Sequence, residues 1–395
     1  MSEFAVEVRK VEKVEAHPNA DKLELAFLHD LAFQFVVGKG EFTPGQAVVY
    51  FPTDAILPKD LAELIGVPAK EGKETVRLKA IRLRGQRSEG VLVSLPRLSL
   101  DPKLVFVGDD LTEQLGVTKH APPEVTGKGL RILPDHLLAL PVHVHVYDIE
   151  NAQRFPAVFQ RMLDNRYSDN TGFPLPPDDD VLITEKLEGT HWAASILKDG
   201  ETFQVFQRRY MFKPPGEDWQ EQFLAYEKDR AQAVSQMNPY WKAFFDQQFD
   251  DVLTKLHHEY RGYDITIRGE LIGDGIQNNY YGAPASWRKV FVFDIELNGV
   301  PINPLVTLDW SKAVNFSHVP VVYQGSLARY AANVDELVAK AHGYTDVGFK
   351  PLSMTLPSER KLREGIVVKP VVEAYDQEIG RRFLKVRDPI YLEKT

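Results

Sequence analysis

Cysteine is absent from the 395-residue chain. That excludes disulfides, thiol catalysis and cysteine-ligated zinc or iron–sulfur centres. No apolar run approaches the ~20 residues needed to cross a bilayer. The opening Met1-Ser2-Glu3-Phe4-Ala5 lacks the basic and apolar regions of a signal peptide. The expectation is therefore a cytoplasmic protein with no membrane partner. Internal repeats and low-complexity tracts are also missing. An excess of positive charge is missing too: the net charge is −9. A non-specific nucleic-acid coat needs Lys and Arg to bind phosphate, so that class is disfavoured. A nucleic-acid enzyme is not excluded, since it needs only a local basic surface and its metal-binding carboxylates add negative charge. Any catalysis must use Lys, His, carboxylates, hydroxyls or an oxygen-bound metal.

The composition that is present, 44% hydrophobic and 26% charged, is that of a folded soluble protein long enough for two or three domains. Residues 1–120 read as short strands punctuated by Gly38, Gly40, Pro44-Gly45, Pro52 and Pro58. Val76 to Arg84 alternates apolar and basic positions, as one half-exposed strand does. Many short strands without long helices predict a small OB-fold barrel. Proline-punctuated residues 121–141 predict a linker. From 142 to 395 strands mix with helices, giving an α+β domain. The clearest helical region runs from Trp219 to His258, broken at Asn238-Pro239. Two basic stretches stand out, Arg77, Lys79, Arg82, Arg84 and Arg87, then Arg381, Arg382, Lys385 and Arg387. Each reads as a solvated strand face or as a nucleic-acid surface.

Chemistry concentrates in five clusters. Val181-Leu182-Ile183 predicts a strand that presents Lys186 at its end, with Glu188-Gly189-Thr190 as the turn. Taken alone, Lys186-Leu187-Glu188-Gly189 is a tetrapeptide that occurs by chance. Four later clusters change its weight. Arg268-Gly269-Glu270-Leu271-Ile272-Gly273 ends a strand with a carboxylate between glycines. Phe291-Val292-Phe293-Asp294 places two aromatics on one strand face beside an acid. Glu364-Gly365-Ile366-Val367-Val368-Lys369 begins with a carboxylate and ends with a cation. Leu384-Lys385-Val386-Arg387 turns Lys385 and Arg387 to one face. Together they supply a lysine to attack, acids to hold a metal, an aromatic to stack on a base, and cations to neutralise a triphosphate.

The order and spacing of these clusters over residues 181–391 resemble the covalent nucleotidyltransferase superfamily of ATP-dependent ligases and mRNA capping enzymes. Two departures are the Glu188 that stands where many members have Asp, and the Arg387 that stands where Lys is frequent. Gln207-Arg208 sits where members place a Ser-Arg pair. His17-Pro18-Asn19-Ala20-Asp21-Lys22-Leu23-Glu24 is similar to the opening of tRNA-binding OB domains, and Leu83 to Gly90 to a second stretch of such a module. Gly273 to Tyr280 resembles the Gly-Ile-Gln stretch of RNA ligases. An OB module ahead of the transferase, with almost nothing after the last cluster, is the layout of the Deinococcus-type ATP-dependent RNA ligase family.

That resemblance implies a multidomain fold. An N-terminal all-β OB-fold barrel (1–120) is followed by an α+β nucleotidyltransferase domain (142–395), ATP-grasp-like and built on antiparallel sheets. It also implies an RNA ligase that joins 3′-OH and 5′-phosphate ends or nicks through a lysyl–AMP intermediate on Lys186 and an adenylylated 5′ end. The cofactors implied are ATP and Mg2+ or Mn2+, the metal engaged by Glu364 and Glu270. Glu185 and Phe293 would hold adenine, Glu188 with Gly189 the ribose side, and Arg208 the ribose or acceptor end. Lys369, Lys385 and Arg387 would contact phosphates. The partner is RNA, as a nicked duplex or as separate ends, gripped by the Arg77–Arg87 stretch of a monomer. The rival readings are another covalent nucleotidyltransferase, such as a DNA ligase or guanylyltransferase, or an inactive RNA-binding protein.

Overall fold

In the computed structural model, residues 4–67, 69, 72–120, 137–141, 144–164, 180–214, 238–349 and 360–394 are described. The chain divides into two compact units, Met1–Glu124 with Ala152–Ala157, and Val125–Asn151 with Val158–Thr395.

The first unit is all-β apart from short helical turns. A five-stranded sheet has the order Gln34–Gly38, Leu23–Leu28, Glu7–Ala16, Ala47–Pro52, Gly90–Ser94. Glu7–Ala16 is long enough to pair with Ala47–Pro52 through its first half and with Leu23–Leu28 through its second. A register irregularity between Val11 and Lys13 lets it serve both. The sheet curls into a nearly closed barrel, and Ser88 accepts from the Val36 N–H across the gap. The alternation of Val76–Arg84 does not produce one strand. Leu78 turns into the core, which separates Thr75–Arg77, paired with Ala55–Pro58, from Ile81–Leu83, paired with Gln86–Ser88. The latter hairpin closes on Arg84 (φ 50°) and Gly85 (φ 90°), the two left-handed positions such a tight turn requires. His17 accepts from the Asn19 N–H and contacts the Leu83 carbonyl at 3.1 Å, a turn-stabilising role.

The second unit is built on two sheets. Six strands shape the site: β1 (Asp180–Lys186), β2 (Thr190–Ile196), β3 (Ile265–Gly273), β4 (Arg288–Leu297), β5 (Gly365–Pro370) and β6 (Leu384–Arg387). A seven-stranded sheet runs Leu137–Ala139, Tyr210–Phe212, Phe203–Phe206, β2, β3, β4, Val300–Pro301. A five-stranded sheet runs Glu150–Asn151, β6, β5, β1, Val321–Ser326. All pairings are antiparallel except that of Glu150–Asn151 with β6. Leu137–Ala139 lies inside the segment expected to be a linker; its apolar residues join the large sheet, and 121–136 lie outside the described residues.

One face of the large sheet is packed by helices α1 (Pro239–Asp246) and α2 (Phe249–Glu259) around Trp192, Trp241, Phe244, Phe249 and Leu253. Asn238 caps α1 by accepting from the Tyr240 and Trp241 N–H groups, with Pro239 at the first position where its missing N–H costs nothing. The break between α1 and α2 falls at Gln248, in the left-handed conformation (φ 58°). Residues 215–237 of the expected helical region lie outside the described residues. With the helices covering one face, the opposite face of β2, β3 and β4 is left for chemistry.

Candidate active site

β1 delivers Lys186 at its last position. The chain turns through Leu187, anchored among Ile272, Tyr281 and Val319, and Glu188, whose N–H donates to the Tyr281 hydroxyl at 2.8 Å. Gly189 then lies flat against β3. A Cβ there would stand 2.6 Å from the Leu271 carbonyl oxygen and 2.9 Å from Glu270 Cγ, so only glycine allows the approach. Gln277, from the Gly-Ile-Gln stretch, donates to the Gly189 carbonyl at 3.1 Å. The small sheet places Lys186 opposite Gly365, and Gly365 opposite Arg387. Gly365 is equally constrained, since its Cβ would fall 2.0 Å from the Val386 carbonyl oxygen.

Three ordered clusters therefore meet at one carboxylate. Glu364 is buried, with Lys186 Nζ 2.5 Å and Arg387 3.0 Å from its Oε1. Burial pushes Glu270 up to about 8, and the Glu364 and Glu188 charges add to that while Lys186 opposes them. Glu188 accepts from the Tyr391 hydroxyl at 2.5 Å. Burial raises Glu185 to about 7 against hydrogen bonds from Thr345 and the Asp346 N–H. Its Oε1 has no hydrogen-bond partner among the described residues. Burial, with repulsion from Lys186, Arg208 and Arg387, pulls Lys385 down, and Asp148 works against that.

Several of these contacts have no sequence signal. Asp148 lies 2.5 Å from Arg208 and 3.5 Å from Lys385, joining a cation in the turn after Phe203–Phe206 to one on β6. Burial alone would raise Asp148, yet Lys385 and Arg208 hold it below the usual carboxylate range. The neighbouring Tyr147 donates to Asp294 and packs its ring 5.2 Å from that of Phe293 and 5.6 Å from that of His191. Both ring nitrogens of His191 are shielded and lack a partner among the described residues. Burial, followed by Arg268 and Arg208, keeps its imidazole neutral. Tyr391 is the other residue without a motif.

Several cations expected to contact phosphates meet protein partners instead. Lys369 is 2% exposed; its ammonium donates at 2.8 Å to both Asp294 and the Phe293 carbonyl, beneath the Phe293 ring. Its charge is spent inside the protein. In the first unit, Arg77 pairs with Asp54 at 2.6 Å and Arg87 with Glu89. Lys79, Arg82 and Arg84 are exposed, but the stretch is divided between a sheet edge and a hairpin.

A divalent metal fits the donor set. Among the described residues no three His, Asp or Glu side chains converge as a closed protein cage. Glu270 and Glu364 are instead two carboxylates near enough that the Glu364 charge raises the proton affinity of Glu270. One or two carboxylates completed by phosphate oxygens and water is the donor set Mg2+ prefers.

The family model for RNA ligase matches residues 179–387, and one for an OB-fold domain matches residues 5–95. Among solved structures, a Naegleria gruberi RNA ligase mutant with ATP and Mn is 22% identical, with a TM-score of 0.71, covering 100% of this chain and 99% of that one. A second mutant of that ligase, with AMP and Mn, has a TM-score of 0.70 at 22% identity over 100% and 99% of the two chains. The Naegleria gruberi ligase with PPi gives 0.69 at 22% identity over 99% and 98%. At this identity the likeness establishes a shared fold along the chain. No curated protein sequence matches.

Proposed function

Since the chain belongs to the RNA ligase family, its model matching more than half of the 395 residues, we propose that it is an ATP-dependent enzyme sealing 3′-OH and 5′-phosphate RNA ends or nicks, with Lys186 as nucleophile. The observation that carries this reading is the convergence on Lys186. Its Nζ is 2.5 Å from Glu364, with Arg387 on the same carboxylate. Glu270 and Lys385 are close enough to interact with it electrically.

Unprotonated Lys186 Nζ attacks the α-phosphorus of ATP. A P–N bond forms, the bond to the bridging oxygen breaks, and pyrophosphate leaves with the electron pair. The AMP then passes to the 5′-phosphate of RNA, regenerating the lysine. Finally a 3′-hydroxyl attacks that phosphate and AMP departs. In-line displacement at phosphorus depends on positioning and charge neutralisation. Lys385 and Arg387 neutralise phosphate oxygens, and Asp148 positions Lys385 and Arg208 relative to each other. Phe293, supported by Tyr147, offers its ring to adenine. The free Oε1 of Glu185 takes a base hydrogen, and Glu188 with Arg208 holds the ribose side. Mg2+ or Mn2+ held by Glu364 and Glu270 would supply additional neutralisation at the phosphates. Lys369 contributes by fixing Asp294 and the Phe293 backbone rather than by touching phosphate. The exposed Lys79, Arg82 and Arg84 of the OB unit grip duplex RNA beside the nick. Action as a cytoplasmic monomer completes the reading.

The test is sealing of a nicked RNA duplex with ATP and Mg2+ or Mn2+. The expected products are an adenylylated 5′ end followed by joined RNA. Joining of DNA but not RNA, or covalent labelling by GTP or NAD in place of ATP, overturns the proposal.

A further inference from the structure

We propose that a ribbon carried by residues 342–344 and 360–363 is the track along which an RNA strand reaches Lys186, with a base stacked on Tyr344 and phosphates on Lys361, Arg360 and Arg387. This rests on the RNA ligase reading and adds a surface to it.

The ribbon is made by backbone pairing immediately before Glu364. The Thr345 N–H donates to the Lys361 carbonyl at 2.9 Å, and the Arg363 N–H to the Gly343 carbonyl at 3.0 Å. Tyr344 and Leu362 are bridge partners. Burial then sorts the side chains. Leu362 and Thr345 are buried, Thr345 against Glu185. Tyr344 and Lys361 are exposed. Tyr344 is 42% exposed, a large aromatic left in water opposite Leu362.

Cations accompany the rings. The Arg360 guanidinium lies 4.9 Å from the Tyr344 centroid, covering one face of that ring. Lys361 Nζ lies 5.5 Å from the Tyr280 centroid. Tyr280 donates to the Leu362 carbonyl at 2.9 Å and packs edge-on against Tyr391, which bonds Glu188. The contacts thus run from Glu188 through Tyr391 and Tyr280 to Leu362. Arg387 is 48% exposed at its inner end. Among the nearby carboxylates Glu364 and Asp388 are buried, and Asp346 stands 3.9 Å from Arg360. An exposed aromatic ring flanked by cations, at the edge of a phosphate-handling centre, suits single-stranded nucleic acid, whose bases stack and whose backbone carries the charge.

Base stacking on one ring contributes enough that its loss weakens binding on the order of 10- to 100-fold. The experiment measures KM for nicked RNA and KM for ATP separately, on wild type, Tyr344→Ala, Tyr344→Phe and Lys361→Gln. Lysyl–AMP formation without RNA is followed in parallel. The expected result is a KM for RNA raised about 10- to 100-fold in Tyr344→Ala and near the wild-type value in Tyr344→Phe. Lys361→Gln, a surface change that leaves folding intact, flattens the salt dependence of RNA binding by about one phosphate contact. Wild-type KM for RNA in all three variants overturns the inference while leaving the ligase reading standing. A defect confined to KM for ATP also overturns it, by assigning the ribbon to the nucleotide. Failure of the wild type to form lysyl–AMP overturns the ligase reading itself, and the inference with it.

Discussion

Glu185→Gln removes a single buried titration from the candidate site and leaves the other titrating groups in place. Glu185 is buried, its ordinary value of 4.5 is raised to about 7 chiefly by that burial, and Oε1 has no partner among the described residues. A carboxyl whose folded value lies above its unfolded one favours the folded state while protonated. Its stabilising contribution is present below about pH 4.5 and is lost as pH rises to about 7. At about 1.4 kcal/mol per pH unit, the full excursion approaches ~3 kcal/mol. Glutamine keeps the shape and does not titrate. The stability of the Glu185→Gln variant relative to the wild type should therefore climb by up to ~3 kcal/mol between pH 4.5 and 7 and stay level above. Thermal denaturation of both proteins across that range reads this as a Tm difference widening by roughly 6–12 °C, at ~2–4 °C per kcal/mol for a unit of this size. Parallel Tm–pH curves would refute the burial argument.

Four further outcomes follow from the same geometry. Gly189→Ala drives a methyl into the Leu271 carbonyl, so it should cost ~1–3 kcal/mol in denaturant unfolding and slow lysyl–AMP formation by moving Glu270 away from Lys186. Asp148→Asn removes the charge that joins Arg208 to Lys385; single-turnover assays should show a sealing rate at least ~10-fold lower, about 1.4 kcal/mol, partly rescued by Asp148→Glu. Lys369→Met leaves Asp294 buried without its cation and should destabilise by ~3–5 kcal/mol, whereas Lys369→Met with Asp294→Leu should recover much of it in a double-mutant cycle. Arg387→Lys keeps the charge but loses the planar fork facing Glu364, and should raise KM for ATP several-fold while preserving the lysyl–AMP adduct.

Contiguous features of the site were readable from sequence, and features made by the meeting of distant segments were not. Lys186 to Gly189, Glu364 and Lys385 to Arg387 lie at strand ends or turns, and Glu270 lies within β3 beside Gly269, each in a short run whose chemistry travels with it. Asp148 is 237 residues from Lys385, and its two ion pairs arise only because Glu150–Asn151 runs beside β6. Tyr147 and His191 are ordinary in sequence and acquire meaning from packing beside Phe293 and, for Tyr147, from its bond to Asp294. Lys369 shows the opposite error. A cation at a strand end suggests a phosphate, but Asp294 on another sheet claims it. In the barrel, the alternation of Val76–Arg84 is real, yet Leu78 finds the core and Arg84-Gly85 finds a turn, so tertiary packing overrode the local period.

The central claim is that Lys186 is the nucleophile. Wild type and Lys186→Ala are each incubated with ATP labelled at the α-phosphate and Mg2+ or Mn2+, then denatured and resolved. The account predicts a covalent AMP adduct on the wild type, mapped to the peptide containing Lys186 and broken by acid as a phosphoramidate is, with none on Lys186→Ala. A wild type without adduct, or a mutant labelled equally well, would contradict it.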